Sequence, residues 1–239
     1  MDCSIIVPVH NEENNLKLLH KEINDSVGPL GIAYEVLYID DGSEDNSLGI
    51  LEEIVKRDQK VKVIQLARHF GQTEAMQSGI DAAKGDIIIF LDGDLQNDPR
   101  DIPALINKIK EGYDIASGWR KDRKDGFLLR KLPSFIANFL ISRFTGVKLH
   151  DYGCTLKAYR KKAIKGIRLY SEMHRFIPVY AVRRGGSIIE LPVSHRQRFS
   201  GKSNYNLMRT HKVILDFLTA EFITGYFNKP IYVFGTAGI

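Results

Sequence analysis

Asp92 and Asp94, one glycine apart at the end of the apolar run Ile87-Ile88-Ile89-Phe90-Leu91, are the residues best suited to chemistry. In an extended or turning segment, two carboxylates at that spacing present oxygens to one hard cation, and a Mg²⁺ or Mn²⁺ held this way keeps positions free for substrate phosphates. A cation so placed would neutralise a diphosphate and stabilise it as a leaving group. A lone Asp pair is a weak signal, because surface pairs abound. Its place at a buried strand end, with Asp41 at another, makes it stronger. Glu12, Asp40 and Asp41 bring the carboxylates at three successive strand ends to five. Each alone could cap a helix or sit in a solvated loop; together they are hard to explain as packing.

The elements that must position them follow from periodicity. Short apolar runs predict strands at residues 4–9, 35–40, 62–66 and 87–91, and amphipathic stretches predict helices at about 13–27, 45–56, 73–84 and 100–111. This alternation is that of βα units on a mostly parallel sheet, an α/β chain whose ligands bind where the strands end. Gly112 leads into a further strand at 114–117. Beyond Gly118 come a charged loop at 120–126 with the character of a lid, a helical pattern at 127–145, a strand at 153–159, a helix at 173–184 and a strand at 187–193. The first strand is followed by His10-Asn11-Glu12-Glu13, with neither a G-x-G-x-x-G nor a Walker loop, which argues against dinucleotide and P-loop enzymes.

The chain has 239 residues, 44% of them hydrophobic and 26% charged, an ordinary globular composition. Its net charge of +5 conceals a division. Residues 1–118 carry 11 Lys/Arg against 22 Asp/Glu, a balance of −11, and the remainder carries 23 against 7, a balance of +16. An acidic half suits divalent metal and controlled phosphate binding, and a basic half suits phosphates, nucleic acid or an anionic membrane; two differently charged solvated faces are the plain alternative. Cys3 and Cys154 stand far apart without C-x-x-C spacing, so neither a disulfide framework nor a zinc site is expected and a reducing setting fits. No secretory leader is apparent, and no run reaches the ~18 apolar residues of a membrane span. From Leu207 to Phe227 apolar residues recur at helical spacing, behind a basic run and ahead of Tyr232 and Phe234. That helix either lies in a membrane interface or packs on its own domain.

Taken together, Val7-Pro8-Val9-His10-Asn11-Glu12-Glu13, Asp40-Asp41-Gly42-Ser43 and Asp92-Gly93-Asp94-Leu95-Gln96 resemble the motifs of glycosyltransferase family 2. More narrowly, Phe70-Gly71-Gln72, Asp94-Leu95-Gln96-Asn97-Asp98-Pro99, Asp151-Tyr152-Gly153-Cys154-Thr155-Leu156-Lys157 and Arg198-Phe199-Ser200-Gly201-Lys202-Ser203 resemble the polyprenyl-phosphate glycosyltransferases. The resemblance runs from Ser4 to the last residues. It implies a GT-A-type nucleotide-sugar-binding fold, with residues 1–206 as the catalytic domain (1–118 the nucleotide- and metal-binding half, 119–206 the acceptor half). Residues 207–239 become an amphipathic interface segment leading, in relatives, to transmembrane helices that this chain does not reach.

The implied activity is metal-dependent, inverting transfer of a sugar from a nucleotide-diphosphate sugar, with a UDP-sugar preferred, to a polyprenyl phosphate at the cytoplasmic face of the membrane. By the same resemblance Pro8, Glu12 and Asp41 hold base and ribose. Asp92 and Asp94 hold the diphosphate through Mg²⁺ or Mn²⁺ with Gln96 close by, and Gln72 and Arg120 lie near the donor. Arg130, Arg198 and Lys202 answer to phosphates, and Asp151 orients the acceptor or a basic residue, unless it is a loop cap. One departure stands out: relatives often have Ser-Lys-Tyr where this chain has Ser203-Asn204-Tyr205, so Lys202 either replaces that basic contact or does not. The competing readings are a family 2 enzyme with a saccharide or protein hydroxyl as acceptor, which needs a carboxylate base, and a basic membrane or nucleic-acid adaptor without catalysis, against which the acidic first half argues. No nucleic-acid partner is expected, and self-association stays open.

Overall fold

The computed structural model describes residues 1–121, 141–143, 145–197 and 219. Within them the chain runs β1 (Cys3–Val9), α1 (Leu16–Val27), β2 (Tyr34–Asp40), α2 (Ser47–Arg57), β3 (Val61–Gln65), α3 (Gln72–Ala82) and β4 (Ile87–Phe90). It continues through α4 (Ile102–Lys110), β5 (Ile115–Trp119), β6 (Lys157–Arg160), α5 (Lys161–Ile164), α6 (Ile177–Arg183) and β7 (Ile188–Pro192). The strands form one seven-stranded sheet in the order β3-β2-β1-β4-β6-β5-β7. β1 is parallel to β2 and β4, β2 to β3, and β5 to β7, whereas β6 runs antiparallel between β4 and β5. The mostly parallel α/β sheet expected from the periodicity is present.

The strands are apolar on both faces because helices cover both. Ile5, Val7, Val9, Val36 and Tyr38 pack with Leu16, Leu19, Leu51 and Leu105 of α1, α2 and α4. Their alternating neighbours Ile6, Leu37, Ile39 and Phe90 pack with Met76, Ile177 and Val179 of α3 and α6. α3 lies especially close to β1: a Cβ at Gly79 would stand 2.3 Å from Ile6 Cγ2. β6 and β7 pair with β4 and β5, so a single sheet runs across residue 118 and joins the acidic half to the basic one.

Three elements differ from their expected bounds, each for a local reason. α1 begins at Leu16 because residues 12–15 form a turn, closed by Asn15 N–H on the Glu12 carbonyl at 2.9 Å, and Glu13 N–H donates to the Asp45 carboxylate at 3.1 Å. The strand expected at 153–159 is confined to Lys157–Arg160, since residues before it turn around the Asp151 side chain, which accepts from Gly153 N–H at 3.1 Å. The helix at 173–184 starts as a 3₁₀ turn, Met173–Phe176, and becomes α-helical where Pro178, which has no N–H to offer, falls in the first turn. Of the helix expected at 127–145, only 141–143 and 145 are described, and these are helical. Most of the 120–126 loop and, apart from helical Thr219, the 207–239 segment lie outside the described residues. Among the described residues no helix is long and apolar enough to cross a membrane.

Candidate active site

β4 is buried along its whole length and delivers Asp92 to the edge where β1 and β2 also end. Gln72, the first residue of α3, donates from Nε2 to Asp92 Oδ1 at 2.8 Å, Asn97 Nδ2 lies 3.4 Å from Oδ2, and Thr155 stands near enough to favour the charged carboxylate. Burial, and then the neighbouring Asp94 charge, push the Asp92 acid up to about 6, against the pull of Thr155, Arg120 and Lys157. Asp94 is buried and accepts Gln96 N–H at Oδ1 (3.1 Å). The turn between them places Leu95 at φ 60°, a conformation that costs a bulky residue about 1–3 kcal/mol. The Leu95 side chain is buried in the core under α1 and α4, which holds that strained backbone in place. Gly93 lets the loop close onto β1, since a Cβ there would lie 3.2 Å from the Pro8 carbonyl oxygen and 3.5 Å from Glu12 Cγ.

Two adjacent acids that repel each other, one of them held partly protonated by burial, form a donor set that a divalent cation would relieve. Among the described residues no group of three or more His, Cys, Asp and Glu side chains is arranged to hold a metal. A pair of carboxylates suits Mg²⁺ or Mn²⁺, which take one or two of them and leave the other positions to water and phosphate. Gln96, half-buried, stands two residues beyond Asp94; its backbone bonds to Asp94 and accepts Arg196 N–H at 2.9 Å.

At the end of β2, Asp41 organises a second part of the edge. Its carboxylate accepts Phe70 N–H at 2.7 Å and Gly71 N–H at 2.9 Å, and pairs with His69 Nδ1 at 2.8 Å. His10 donates from Nδ1 to the Asp41 carbonyl at 2.9 Å and stacks on His69, with ring centroids 4.1 Å apart. Gly42 makes this possible: it sits at φ 66°, and a Cβ would come within 2.5 Å of His69 N. Asp41, Gln72 and Asp92 are thus linked through one turn, residues 69–72.

On the other side, Arg120 follows β5 and donates from Nε and Nη2 to the two Asp151 oxygens at 2.7 and 2.9 Å, a fork-to-fork pair with both side chains largely buried. Glu190 of β7 holds the backbone that carries Asp151, accepting His150 N–H at 2.9 Å. Lys157, buried at the start of β6, donates to the Tyr152 carbonyl at 3.1 Å and to that of Cys154. Burial pushes the Cys154 thiol up to about 11 and Cys3 to about 12, so both stay protonated near neutrality and neither suits a nucleophile.

Of the residues singled out in the sequence, Pro8, Glu12, Gln72, Asp92, Asp94, Gln96, Arg120 and Asp151 lie around the strand-end edge, with Asp41 beside them. Arg130, Arg198 and Lys202 are outside the described residues. Asn97, Thr155 and Lys157, which also meet there, stand inside quoted motifs yet were assigned nothing; the polar Asn97 and Thr155 beside Asp92 and Cys154 were the available signal. His10 and His69 carry no spacing that would have joined them.

The family model described as Glycosyl transferase family 2 matches residues 4–168. Dodecaprenyl-phosphate galacturonate synthase of Rhizobium johnstonii is 44% identical over 100% of this chain and 72% of its own length. Undecaprenyl-phosphate 4-deoxy-4-formamido-L-arabinose transferase of Edwardsiella ictaluri is 39% identical over 98% of this chain and 71% of its own. Among solved structures, glucosyl-3-phosphoglycerate synthase from Mycobacterium tuberculosis, in complex with Mn²⁺, UDP and glucosyl-3-phosphoglycerate, superposes with a TM-score of 0.69 at 20% identity, covering 91% of this chain and 79% of that one. The same enzyme with Mg²⁺ and UDP gives 0.66 at 19% identity, covering 91% and 78%. The GT-A-type fold and the family expected from the motifs are both borne out.

Proposed function

The chain belongs to glycosyltransferase family 2, and from that premise we propose that it transfers a sugar from a nucleotide-diphosphate sugar, by preference a UDP-sugar, to the phosphate of a polyprenyl phosphate. The observation that carries the reading is the convergence of Gln72, Asp92, Asp94, Arg120 and Asp151 on one sheet edge, in a chain whose two relatives named above both take polyprenyl phosphate in their names.

Base and ribose lie against Pro8, Glu12 and the turn that Asp41 orders. Three protein donors occupy Asp41, and a carboxylate has about four acceptor sites, so one remains for a base N–H. Asp92 and Asp94, with Gln96 beside them, would hold Mg²⁺ or Mn²⁺, which would supply positive charge to stabilise a departing diphosphate. Gln72 fixes the Asp92 carboxylate, with Thr155 beside it, so that its orientation is set before substrate arrives. Asp151 does the same for the Arg120 guanidinium, whose remaining N–H groups are donors for phosphate.

The acceptor needs no general base. A phosphate monoester has its second pKa at about 6 and is largely dianionic near neutrality, so its oxygen is already nucleophilic. That oxygen forms the new bond to the anomeric carbon while the bond from that carbon to the donor diphosphate breaks, with inversion and release of the nucleoside diphosphate. The difficulty is bringing two anions together, and the basic second half answers it, with Arg130, Arg198 and Lys202 as the phosphate contacts the resemblance supplies. Residues 207–239 hold the enzyme peripherally at the cytoplasmic membrane surface where such a lipid resides. The test is transfer of radiolabel from a panel of UDP- and GDP-sugars into organic-extractable polyprenyl phosphate, with Mn²⁺ or with EDTA. Metal-dependent label in the lipid phase from one donor is expected, and no label from any donor would count against the reading.

A further inference from the structure

Lys157 is a buried cation at this edge whose burial the chemistry above leaves unexplained. It faces Phe90 across the β4–β6 pairing and lines, with Met76, Tyr159, Thr155, His174 and Arg175, a small cleft in which a methionine of similar size would take no charge out of water. Burial indeed pulls the ammonium pKa below that of an ordinary lysine. What the charge obtains in return is the backbone of residues 152–154: Nζ donates to the carbonyls of Tyr152 and Cys154. The segment it grips has a working residue at each end. Asp151 forks onto Arg120, and Thr155 stands beside Asp92, where it favours the charged carboxylate.

Resting on the transfer reading, we infer that Lys157 is a positioning residue: by gathering the Tyr152 and Cys154 carbonyls it sets the 151–155 segment so that Asp151 aims Arg120 and Thr155 aims Asp92 at the same time. Lys157 itself touches no substrate. Among the described residues it stands, with Arg120, close to the carboxylates Asp92 and Asp151. The arrangement predicts a loss in the chemical step with little change in binding of the nucleoside part, because Asp41 and its turn are held independently of the segment, whereas Asp92 and Arg120 serve the diphosphate.

The experiment uses Lys157→Met in the full chain, which preserves volume and removes the donors. Kd for uridine is measured by calorimetry, kcat by transfer to polyprenyl phosphate, and folding by thermal melting. The expected result is a cooperative melt, a Kd within about threefold of wild type and a kcat lowered by about thirtyfold or more. A folded Lys157→Met with a lowered melting temperature and wild-type kcat would mean that the lysine only supports the fold, and would overturn the inference. Where Lys157→Met does not fold, Thr155→Val decides: it removes only the hydroxyl beside Asp92, a lowered kcat is expected, and a wild-type kcat overturns the inference. A wild type that transfers nothing in the same assay removes the transfer reading and the inference together. An active wild type beside an equally active folded variant removes the inference alone.

Discussion

Asp94 and Asp151 separate the two kinds of work a carboxylate does at this edge. Asp94→Asn removes a charge from the metal pair, so turnover with Mg²⁺ or Mn²⁺ should fall by about a hundredfold or more in a protein that still melts cooperatively. Near-wild-type turnover would contradict the metal assignment. Asp151→Asn instead strips a buried guanidinium of its counter-charge, and breaking such a pair costs about 3 kcal/mol. The expected outcome is therefore a loss of both stability, read by denaturant unfolding, and turnover. Asp92, Asp94, Gln72, Arg120 and Asp151 were legible because their types and motif order point to phosphate and metal chemistry. Lys157 was not: in Leu156-Lys157-Ala158-Tyr159 it reads as the polar member of an alternating strand, and only the antiparallel pairing with Phe90 shows it to be buried. His10 and His69 were hidden for a similar reason, since 59 positions separate them and only Asp41 brings their rings together.

The positions of the elements were written in their periodicity, but their ends were decided by contacts between distant turns. α1 begins three residues later than its pattern because Asp45, beyond β2, takes Glu13 N–H, and the strand leading to Lys157 begins late because Asp151 and Lys157 draw the preceding residues into a turn. α3 depends on Gly79, and Gly79→Ala should cost about 1–3 kcal/mol by forcing the helix off Ile6, a loss measurable in the unfolding midpoint. The chain beyond β7 is tied back by Arg196, which bridges Glu22 of α1 at 2.8 Å and Asp98 at 2.8 Å. Burial alone would raise the Asp98 acid, but Arg100 and Arg196 outweigh it and lower the pKa from 3.8 to about 2. A carboxyl depressed in the folded state adds stability above its unfolded value and loses it as pH falls through the folded one. The difference in melting temperature between wild type and Asp98→Asn should thus be full at pH 6 and vanish as pH falls from about 4 to about 2. A difference that persists at pH 2 would show that the ion pairs are not its source.

On the scale of the whole molecule, the division between an acidic first half and a basic second half is carried by one continuous sheet, so charge and fold do not share a boundary. The sequence patterning suggested nucleotide and metal for the acidic half and the acceptor for the basic one; it could not show that β6 turns back antiparallel between β4 and β5 and brings Lys157 to the strand-end edge. If residues 207–239 hold the protein at an interface, the chain should sediment with vesicles containing anionic lipid, and deletion of those residues should abolish that binding; equal binding without them would contradict the interface assignment. In the proposed reaction the nucleophile is a phosphate oxygen needing no base. The most direct measurement compares undecaprenyl phosphate with undecaprenol as acceptor, using the donor found in the panel, Mn²⁺ and the full chain. Label should enter only the phosphate-bearing lipid. Equal transfer to the alcohol would mean that the enzyme activates a hydroxyl, and would contradict that account of the site.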